Sequence, residues 1–434
     1  MKKTVAIATL GCKTNQFESA AMAEQLESSG YRVIPFAERA DIYIVNSCTV
    51  TARTDAETRK LIRRARRINP QARIVATGCY AQVSPGELEK LPELDCVLGN
   101  GEKREIAALL ETGENRVGEV TATPSAATQP LTSFAEHTRA FLQIQNGCDS
   151  FCSYCIVPYA RGTSRSSAPG EVFEGVRRMA DSGFKEVVLT GIHLGAYGLD
   201  LEPQLSLTDL VAEIDRQQLI PRLRLGSIEP NEIDSELIDL MHDSALICPH
   251  LHLPLQSGSD NILAAMGRRY SRSFFRDLVL KIKEHLPHAF IGADVIAGFP
   301  GESDDDFRQT IDLIEELPLS DLHVFPFSSR PGTRAAILPG HLPAHTVTSR
   351  AEILRSLARS RHARFLSEQV GRPLMVLGQT YDTAKGIVRG LSRNYVQVEY
   401  RGNAGLVNHE ESIAIAAVTG NAVTGRLLPD TPAD

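Results

Sequence analysis

Three apolar runs near the start of the chain each lead into a cysteine: Val5 to Leu10 into Gly11-Cys12, Asp41 to Val45 into Asn46-Ser47-Cys48, and Arg73 to Thr77 into Gly78-Cys79. Helix-like stretches, Phe17 to Ser29 and Ala56 to Ile68, separate them. That alternation predicts an open parallel α/β sheet, because parallel neighbours need a crossover to bring the chain back to the same edge. The loops after such strands gather at the carboxyl edge, where α/β folds bind their ligands. Three thiols far apart in sequence therefore meet at one mouth. A lone free thiol is most often a small buried hydrophobe; three at successive strand ends, two of them after glycine, point instead to a shared cluster at Cys12, Cys48 and Cys79. Cys96 in Leu-Asp-Cys-Val-Leu and Cys248 in Ala-Leu-Ile-Cys-Pro-His have no such setting and read as structural.

A second set lies on one short loop, Cys148, Cys152 and Cys155, with Cys-x3-Cys-x2-Cys spacing. Three thiolates so placed can hold three corners of a four-iron cluster and leave the fourth iron open to a ligand that is not protein. Structural zinc fits less well, since it wants four closed ligands and no second Cys or His pair follows nearby. Disulfides fit least, because three thiols this close cannot all pair. The Met1 to Leu10 segment is too short an apolar run for a signal peptide, and no run of about eighteen apolar residues occurs, so a soluble cytoplasmic protein without membrane contact is expected. In a reducing compartment, eight cysteines serve as ligands or core residues.

A chain of 434 residues exceeds one ordinary core. We place an N-terminal parallel-sheet domain at 1–117 and a small, polar, proline-bearing linker at 118–133. A central domain at 134–368 carries six strand candidates: Phe141 to Ile144, Glu186 to Leu189, Arg222 to Leu225, His250 to Leu255, Ile291 to Ile296 and Leu322 to Phe327. Six βα units fall short of the eight that close a full barrel, so a partial, open-sided (βα)6 barrel is expected, with Cys148 to Cys155 after its first strand. Residues 369–434 turn to short β runs (Leu374 to Leu377, Gly386 to Leu391, Tyr395 to Tyr400, Ser412 to Val418), the pattern of a small all-β barrel such as those that grip single-stranded nucleic acid.

The net charge is −7, so a nucleic-acid partner would have to be met by local basic patches. One runs Arg59-Lys60-Leu-Ile-Arg63-Arg64-Ala-Arg66-Arg67, the other from Arg350 through Arg355, Arg359 and Arg361 to Arg364. Each alternatively is a solvated helical surface.

The Cys-x3-Cys-x2-Cys loop at the mouth of a partial barrel resembles the radical S-adenosylmethionine (radical SAM) enzymes. The resemblance implies a [4Fe-4S] cluster on Cys148, Cys152 and Cys155, with S-adenosyl-L-methionine chelating the open iron. It also implies cofactor contacts from Tyr154, Gly191, Ser227, Glu229, Gln256 and Gly298. The whole order, with Cys12, Cys48 and Cys79 in front and a TRAM-like RNA-binding barrel behind, is similar to the methylthiotransferases. That implies a second [4Fe-4S] cluster, a tRNA anticodon loop as partner, and an electron donor such as flavodoxin or ferredoxin, with the sulfur source left open. Gly11-Cys12-Lys13-Thr14-Asn15-Gln16 and Asn46-Ser47-Cys48-Thr49-Val50-Thr51 resemble the branch acting on threonylcarbamoyladenosine, with Ser47 where threonine is commoner. Lys13 is expected to help choose substrate, and Arg63, Arg64 and Arg67 to meet phosphates. The rivals are the same chemistry on isopentenyladenosine or on a ribosomal-protein aspartate, and a metal-stabilised RNA-binding protein without catalysis.

Overall fold

The structure, a computed structural model, describes residues 2–120 and 138–429; most of the expected linker lies outside them. Strands β1 (Thr4–Thr9), β2 (Arg32–Val33), β3 (Ile42–Ser47), β4 (Arg73–Gly78) and β5 (Cys96–Val97) form one sheet of order β2-β1-β3-β4-β5, parallel throughout. Alternate residues serve opposite faces, as a period of two requires. Ala6, Tyr43, Val45, Ile74 and Ala76 pack with Ile62 and Ala65 of α2 (Ala52–Ile68), while Val5, Ile44 and Val75 pack with Met22 and Leu26 of α1 (Lys13–Ser28). Both helices begin four residues earlier than their apolar periodicity predicts. In α1 the first turn, Lys13 to Gln16, is polar and is held by tertiary bonds from Asn15 Nδ2 to the Leu10 and Ser47 carbonyls at 2.7 and 3.0 Å. In α2 a Thr51–Thr54 capping box sets the start.

Strand β6 (Arg139–Gln143) leads through a two-stranded pair, β7 (Gln145–Asn146) and β8 (Arg165–Ser166), into β9 (Glu186–Thr190), β10 (Arg222–Leu225), β11 (His250–Gln256), β12 (Phe290–Ala297) and β13 (Asp321–Pro326). The two parallel sheets β10-β9-β6 and β11-β12-β13 are linked by bridges from Leu223 to Ile247 and from Ser227 to His252. The six strands thus follow sequence order, and β6 and β13 do not pair, which leaves a partial barrel with an open side. Helix α1 packs at β6, and its Phe17 and Ala21 share a core with Ala140, Leu142 and Val187 of the barrel. The thiol edge of the first sheet is thereby carried against the second unit.

Along β11 and β12, Leu251, Leu253, Leu255, Ile291, Ala293 and Val295 join the outer core beneath the helices, so His250, His252, Phe290 and Asp294 face inward. The amino end of the barrel is closed by the C-terminal segment. There β14 (Pro373–Asp382), β15 (Ile387–Ser392), β16 (Gln397–Arg401), β17 (Glu410–Thr419) and β18 (Ala422–Leu427) form a closed barrel of order β14-β15-β16-β18-β17. Strand β18 is not predicted by the sequence, because its central Gly425 weakens the β pattern; the glycine is needed where a Cβ would lie 2.5 Å from Ile413 Cγ2 and 2.7 Å from the Ala414 carbonyl. Tyr395, at φ +65°, projects from this barrel onto His250 (ring centroids 4.4 Å apart) and Phe290 (5.5 Å), with the Arg224 guanidinium 5.1 Å from its ring. Around it Glu186 pairs with Arg222 and Arg224 at 2.8 Å, Arg222 reaches Glu410 at 2.7 Å, and Arg224 donates to the carbonyls of Ser392 and Arg393.

Candidate active site

Because β1, β3 and β4 are neighbours, the residues after them are too, and Cys12, Cys48 and Cys79 are brought together as expected. Two glycines make this possible. At Gly11 (φ +94°) a Cβ would sit 2.8 Å from Cys48 Sγ, and at Gly78 (φ +97°) 2.4 Å from the Ser47 carbonyl. Ser47, the departure from the usual threonine, ties the loops: its hydroxyl donates to the Thr77 carbonyl at 2.5 Å and accepts from Tyr80 N–H at 3.2 Å. Cys12 is exposed, Cys48 and Cys79 are buried, and all are free thiols. Burial, with neighbouring Cys79 and Cys12, pushes the Cys48 thiol up to about 12. Three thiolates cannot coexist here without compensating cations, which is the donor set an iron cluster satisfies.

One permanent cation is built in. Arg161 is fully buried, donates from Nε to Cys79 Sγ at 3.3 Å, and bonds Glu18 and Asn15 of α1. Glu18 also pairs with buried Lys103 at 2.5 Å. Asn100 Nδ2 donates to the Ala160 carbonyl at 2.8 Å, fastening the same helix Val157–Arg161 to the first sheet. No local signal marks Arg161 in the sequence; only the docking of two units gives it a thiol to face.

The second thiol loop leaves β7 through Gly147 (φ +78°), where a Cβ would clash with the Thr163 carbonyl at 1.8 Å. Cys148 N–H donates to the Gly162 carbonyl at 3.0 Å, and Ser153 N–H to the Met266 carbonyl at 2.8 Å, so the loop is held at both flanks. Burial, with Cys152 and Cys148 alongside, pushes Cys155 up to about 12. At Cys148 burial is outweighed by hydrogen bonds from His193 and from Ser150 N–H, leaving this thiol below its ordinary value. His193 Nδ1 lies 3.6 Å from Cys148 Sγ and its Nε2 2.6 Å from Glu232 Oε1; these partners overcome burial and raise the imidazole to about 10. Arg268 donates to Cys152 Sγ at 3.5 Å and pairs with Glu229. No local signal in the sequence marks Arg268 or Glu232 for this site.

The expected cofactor residues line the same carboxyl edge. Tyr154 packs on the apolar group of Ile262, Met266, Ile296, Phe299 and Ala335. Gly191 abuts Gln145, where a Cβ would approach Oε1 to 2.9 Å, and Gln145 Oε1 accepts from His193 N–H at 2.7 Å. Ser227 is exposed and donates to the His252 carbonyl at 3.3 Å. Gln256 is buried at φ +64° beside a register shift in β11. At Gly298 (φ +77°) a Cβ would strike Val347 at 2.6 Å, so its glycine already has a packing reason.

Lys13, first residue of α1, is half-buried and makes no hydrogen bond or ion pair among the described residues. Burial, then the charges of Arg224 and Arg139, lower its pKa to about 8, which places it within electrostatic reach of the barrel interior. On α2, Arg63, Arg64 and Arg67 are exposed, and Arg63 and Arg67 line a groove of about 480 Å³ with Lys60, Arg66 and Glu93. Arg66 is instead consumed structurally, bonding Asp95 at 2.7 Å and the carbonyls of Pro70, Ala72 and Glu93. The second basic stretch, on helix Ala344–Ser367, is paired with acids along its length, closer to the alternative of a helical surface than to a free basic patch. Arg350 is buried against Glu302 and Asp304, Arg355 and Arg359 pair with Glu352, Arg361 bonds the Glu315 carbonyl, and Arg364 pairs with Glu368. A helix that packs on β12 and β13 turns one basic edge inward, and the acids beside it take the rest. Cys96 and Cys248 are buried away from both thiol sets, as expected of structural cysteines.

Residues 4–99 match the family described as Uncharacterized protein family UPF0004, and residues 142–314 match the Radical SAM superfamily. The threonylcarbamoyladenosine tRNA methylthiotransferase MtaB of Aquifex aeolicus is 39% identical over 404 residues, covering 92% of this chain and 97% of that protein. The tRNA-2-methylthio-N(6)-dimethylallyladenosine synthase of Pelotomaculum thermopropionicum is 32% identical, covering 98% of both. Among solved structures, the radical S-adenosylmethionine methyltransferase TsrM of Kitasatospora setae shares the fold with a TM-score of 0.56 at 18% identity, over 78% of this chain and 77% of that one.

Proposed function

The chain belongs to the tRNA methylthiotransferases of the radical SAM superfamily, and we propose that within them it converts N6-threonylcarbamoyladenosine at position 37 of tRNA to its 2-methylthio derivative. The observation that carries this choice is the higher identity to the threonylcarbamoyladenosine enzyme, 39% against 32% for the dimethylallyladenosine enzyme. The Gly11-Cys12-Lys13-Thr14-Asn15-Gln16 turn and the inward, unpaired Lys13 support it. Family membership sets aside the non-catalytic reading.

The enzyme uses S-adenosyl-L-methionine and two [4Fe-4S] clusters. In our reading Cys148, Cys152 and Cys155 hold one cluster and Cys12, Cys48 and Cys79 the other; both thiol sets are free, convergent and partly accessible, so they fit. When bound, the first cluster with S-adenosyl-L-methionine would supply a radical able to take hydrogen from the unactivated C2–H of adenine, and the second would hold the sulfur or methylthio group to be inserted. The chain's own residues prepare this. Arg161 and His193 set positive charge against Cys79 and Cys148, Arg268 against Cys152, and Tyr154 with its apolar neighbours offers a dry wall for the adenine of the cofactor. Because β6 and β13 do not pair, the barrel is left open on one side, and we assign that side to the entry of a splayed-out base. The closed C-terminal barrel, read as TRAM-like, and the exposed Arg63, Arg64 and Arg67 are assigned to the anticodon stem-loop, and a flavodoxin or ferredoxin to electron delivery. No helix among the described residues is long and apolar enough to cross a membrane.

Nucleoside mass spectrometry of tRNA from a deletion strain tests the substrate. The threonylcarbamoyl nucleoside is expected to lose its methylthio group while the isopentenyl nucleoside keeps it; the reverse pattern refutes the assignment. Anaerobic reconstitution is expected to give about eight irons per chain and reductive cleavage of S-adenosyl-L-methionine.

A further inference from the structure

Inside the barrel, one layer above the Tyr395 plug and below the radical loop, three side chains from consecutive strands meet. His252 on β11, Asp294 on β12 and His323 on β13 share the inner face, with Asp294 paired in register to Pro254 and His323. His252 Nε2 lies 2.8 Å from Asp294 Oδ1, His323 Nδ1 lies 3.4 Å from the same oxygen, and the two imidazoles lean together with centroids 4.7 Å apart. Gly292 clears room beneath: a Cβ there would lie 3.0 Å from His252 Nδ1. With Nδ1 turned to Asp294, the far edge of the His323 ring has no partner among the described residues, and the side chain is 60% exposed. Lys13, equally without a partner, lies within electrostatic reach of His323.

We propose that Lys13 and His323 form an anion subsite in the barrel interior that takes the threonine carboxylate of the substrate, with Asp294 and His252 as positioning residues. The inference rests on the threonylcarbamoyladenosine reading above. An isopentenyl group has no polar atom to satisfy such a site, whereas a carboxylate that gives up water on entering the barrel must find donors. Of the nearby cations, Arg139, Arg222 and Arg224 are already paired with Glu186, and Arg222 also with Glu410, whereas Lys13 has no carboxylate partner among the described residues. Asp294 is held below the ordinary carboxylate range, since the bonds from His252 and His323 outweigh its burial, and it in turn raises His323 and favours the ring as a donor. The three groups also bring one ligand atom each within 4.8 Å of one another, a set a divalent cation can use. The neighbouring Lys13 ammonium opposes a cation there.

The test uses the reconstituted enzyme and two anticodon stem-loop oligonucleotides, one carrying threonylcarbamoyladenosine and one its threonine methyl ester, which removes the negative charge and adds one methyl group. The wild type is expected to prefer the acid over the ester by at least tenfold in kcat/KM. Lys13→Met and His323→Phe should each reduce that preference severalfold, and together bring it near one; Lys13→Arg should retain it. The preference is a ratio within each variant, so a general loss of activity cancels. Equal rates on acid and ester in the wild type, or a preference untouched by both variants, overturns the subsite while leaving the substrate assignment standing. Turnover of an isopentenyladenosine oligonucleotide alone overturns both. A third, non-cluster metal bound in the wild type and lost in Asp294→Asn makes the triad a metal site and also overturns the proposal.

Discussion

Glu186→Gln removes one charge from the barrel floor and keeps the volume of the side chain. Glu186 has no solvent exposure and holds Arg222 and Arg224 at 2.8 Å each. Burial alone would raise its carboxyl, but Arg224, Arg222 and Arg139 bring it down to about 2 from an ordinary 4.5. At about 1.4 kcal/mol per pH unit, that difference is worth about 3 kcal/mol of folding stability at neutral pH. The figure sits at the low end of the about 3–5 kcal/mol seen when one partner of a buried pair is removed, as expected where Arg222 keeps Glu410 at 2.7 Å. A carboxylate depressed in the folded state contributes fully above its unfolded pKa and loses that contribution as pH falls through the folded one. The gap between wild type and Glu186→Gln should therefore be about 3 kcal/mol at pH 7 and close between about pH 4.5 and 2. Urea titrations of cluster-free protein, followed by far-UV circular dichroism because the chain has no tryptophan, measure it. Amide exchange should speed up first in β9, β10 and the 391–393 segment whose carbonyls Arg222 and Arg224 hold. A gap below about 1 kcal/mol at pH 7, or one that does not shrink in acid, would refute the claim that the pair is desolvated and clamps the two barrels.

Cys148→Ala, Cys152→Ala or Cys155→Ala should abolish 5′-deoxyadenosine formation, whereas Cys12→Ala, Cys48→Ala or Cys79→Ala should keep some cleavage and lose sulfur insertion; equal loss in both sets refutes the division of labour. Gly78→Ala, which forces a Cβ to 2.4 Å from a backbone carbonyl at φ +97°, should bring iron content from about eight to about four per chain, while Gly86→Ala, with nothing within 4 Å, should leave it unchanged. Arg64→Ala with Arg67→Ala should weaken tRNA binding and flatten its dependence on log salt by about one for each phosphate no longer neutralised, measured by filter binding; an unchanged slope removes α2 from the interface.

Features that depend on short range or on periodicity are legible in the amino-acid order alone. Three strands running into Cys12, Cys48 and Cys79 dictate a parallel sheet with thiols at one edge, and the spacing of Cys148, Cys152 and Cys155 puts three ligands on one loop whatever surrounds them. Six βα units in order likewise lead to an open barrel. Features that depend on which distant surfaces meet are settled only in the packed molecule. Arg161 faces Cys79, and Lys13 faces the barrel, only because α1 docks at β6. The same arginine-rich pattern leaves Arg64 and Arg67 of α2 without an ion pair among the described residues, while on Ala344–Ser367 Arg350 is buried against Glu302 and Asp304 and Arg355, Arg359 and Arg364 take acids at the surface, because pairing and burial are properties of packing and not of composition. His252, Asp294 and His323 lie on three different strands, and only the parallel register, with Asp294 opposite His323 and His252 one pair away opposite Gly292, brings them together. Tyr395, unremarkable in a β run, became the floor of the open barrel once the closed C-terminal barrel packed against it.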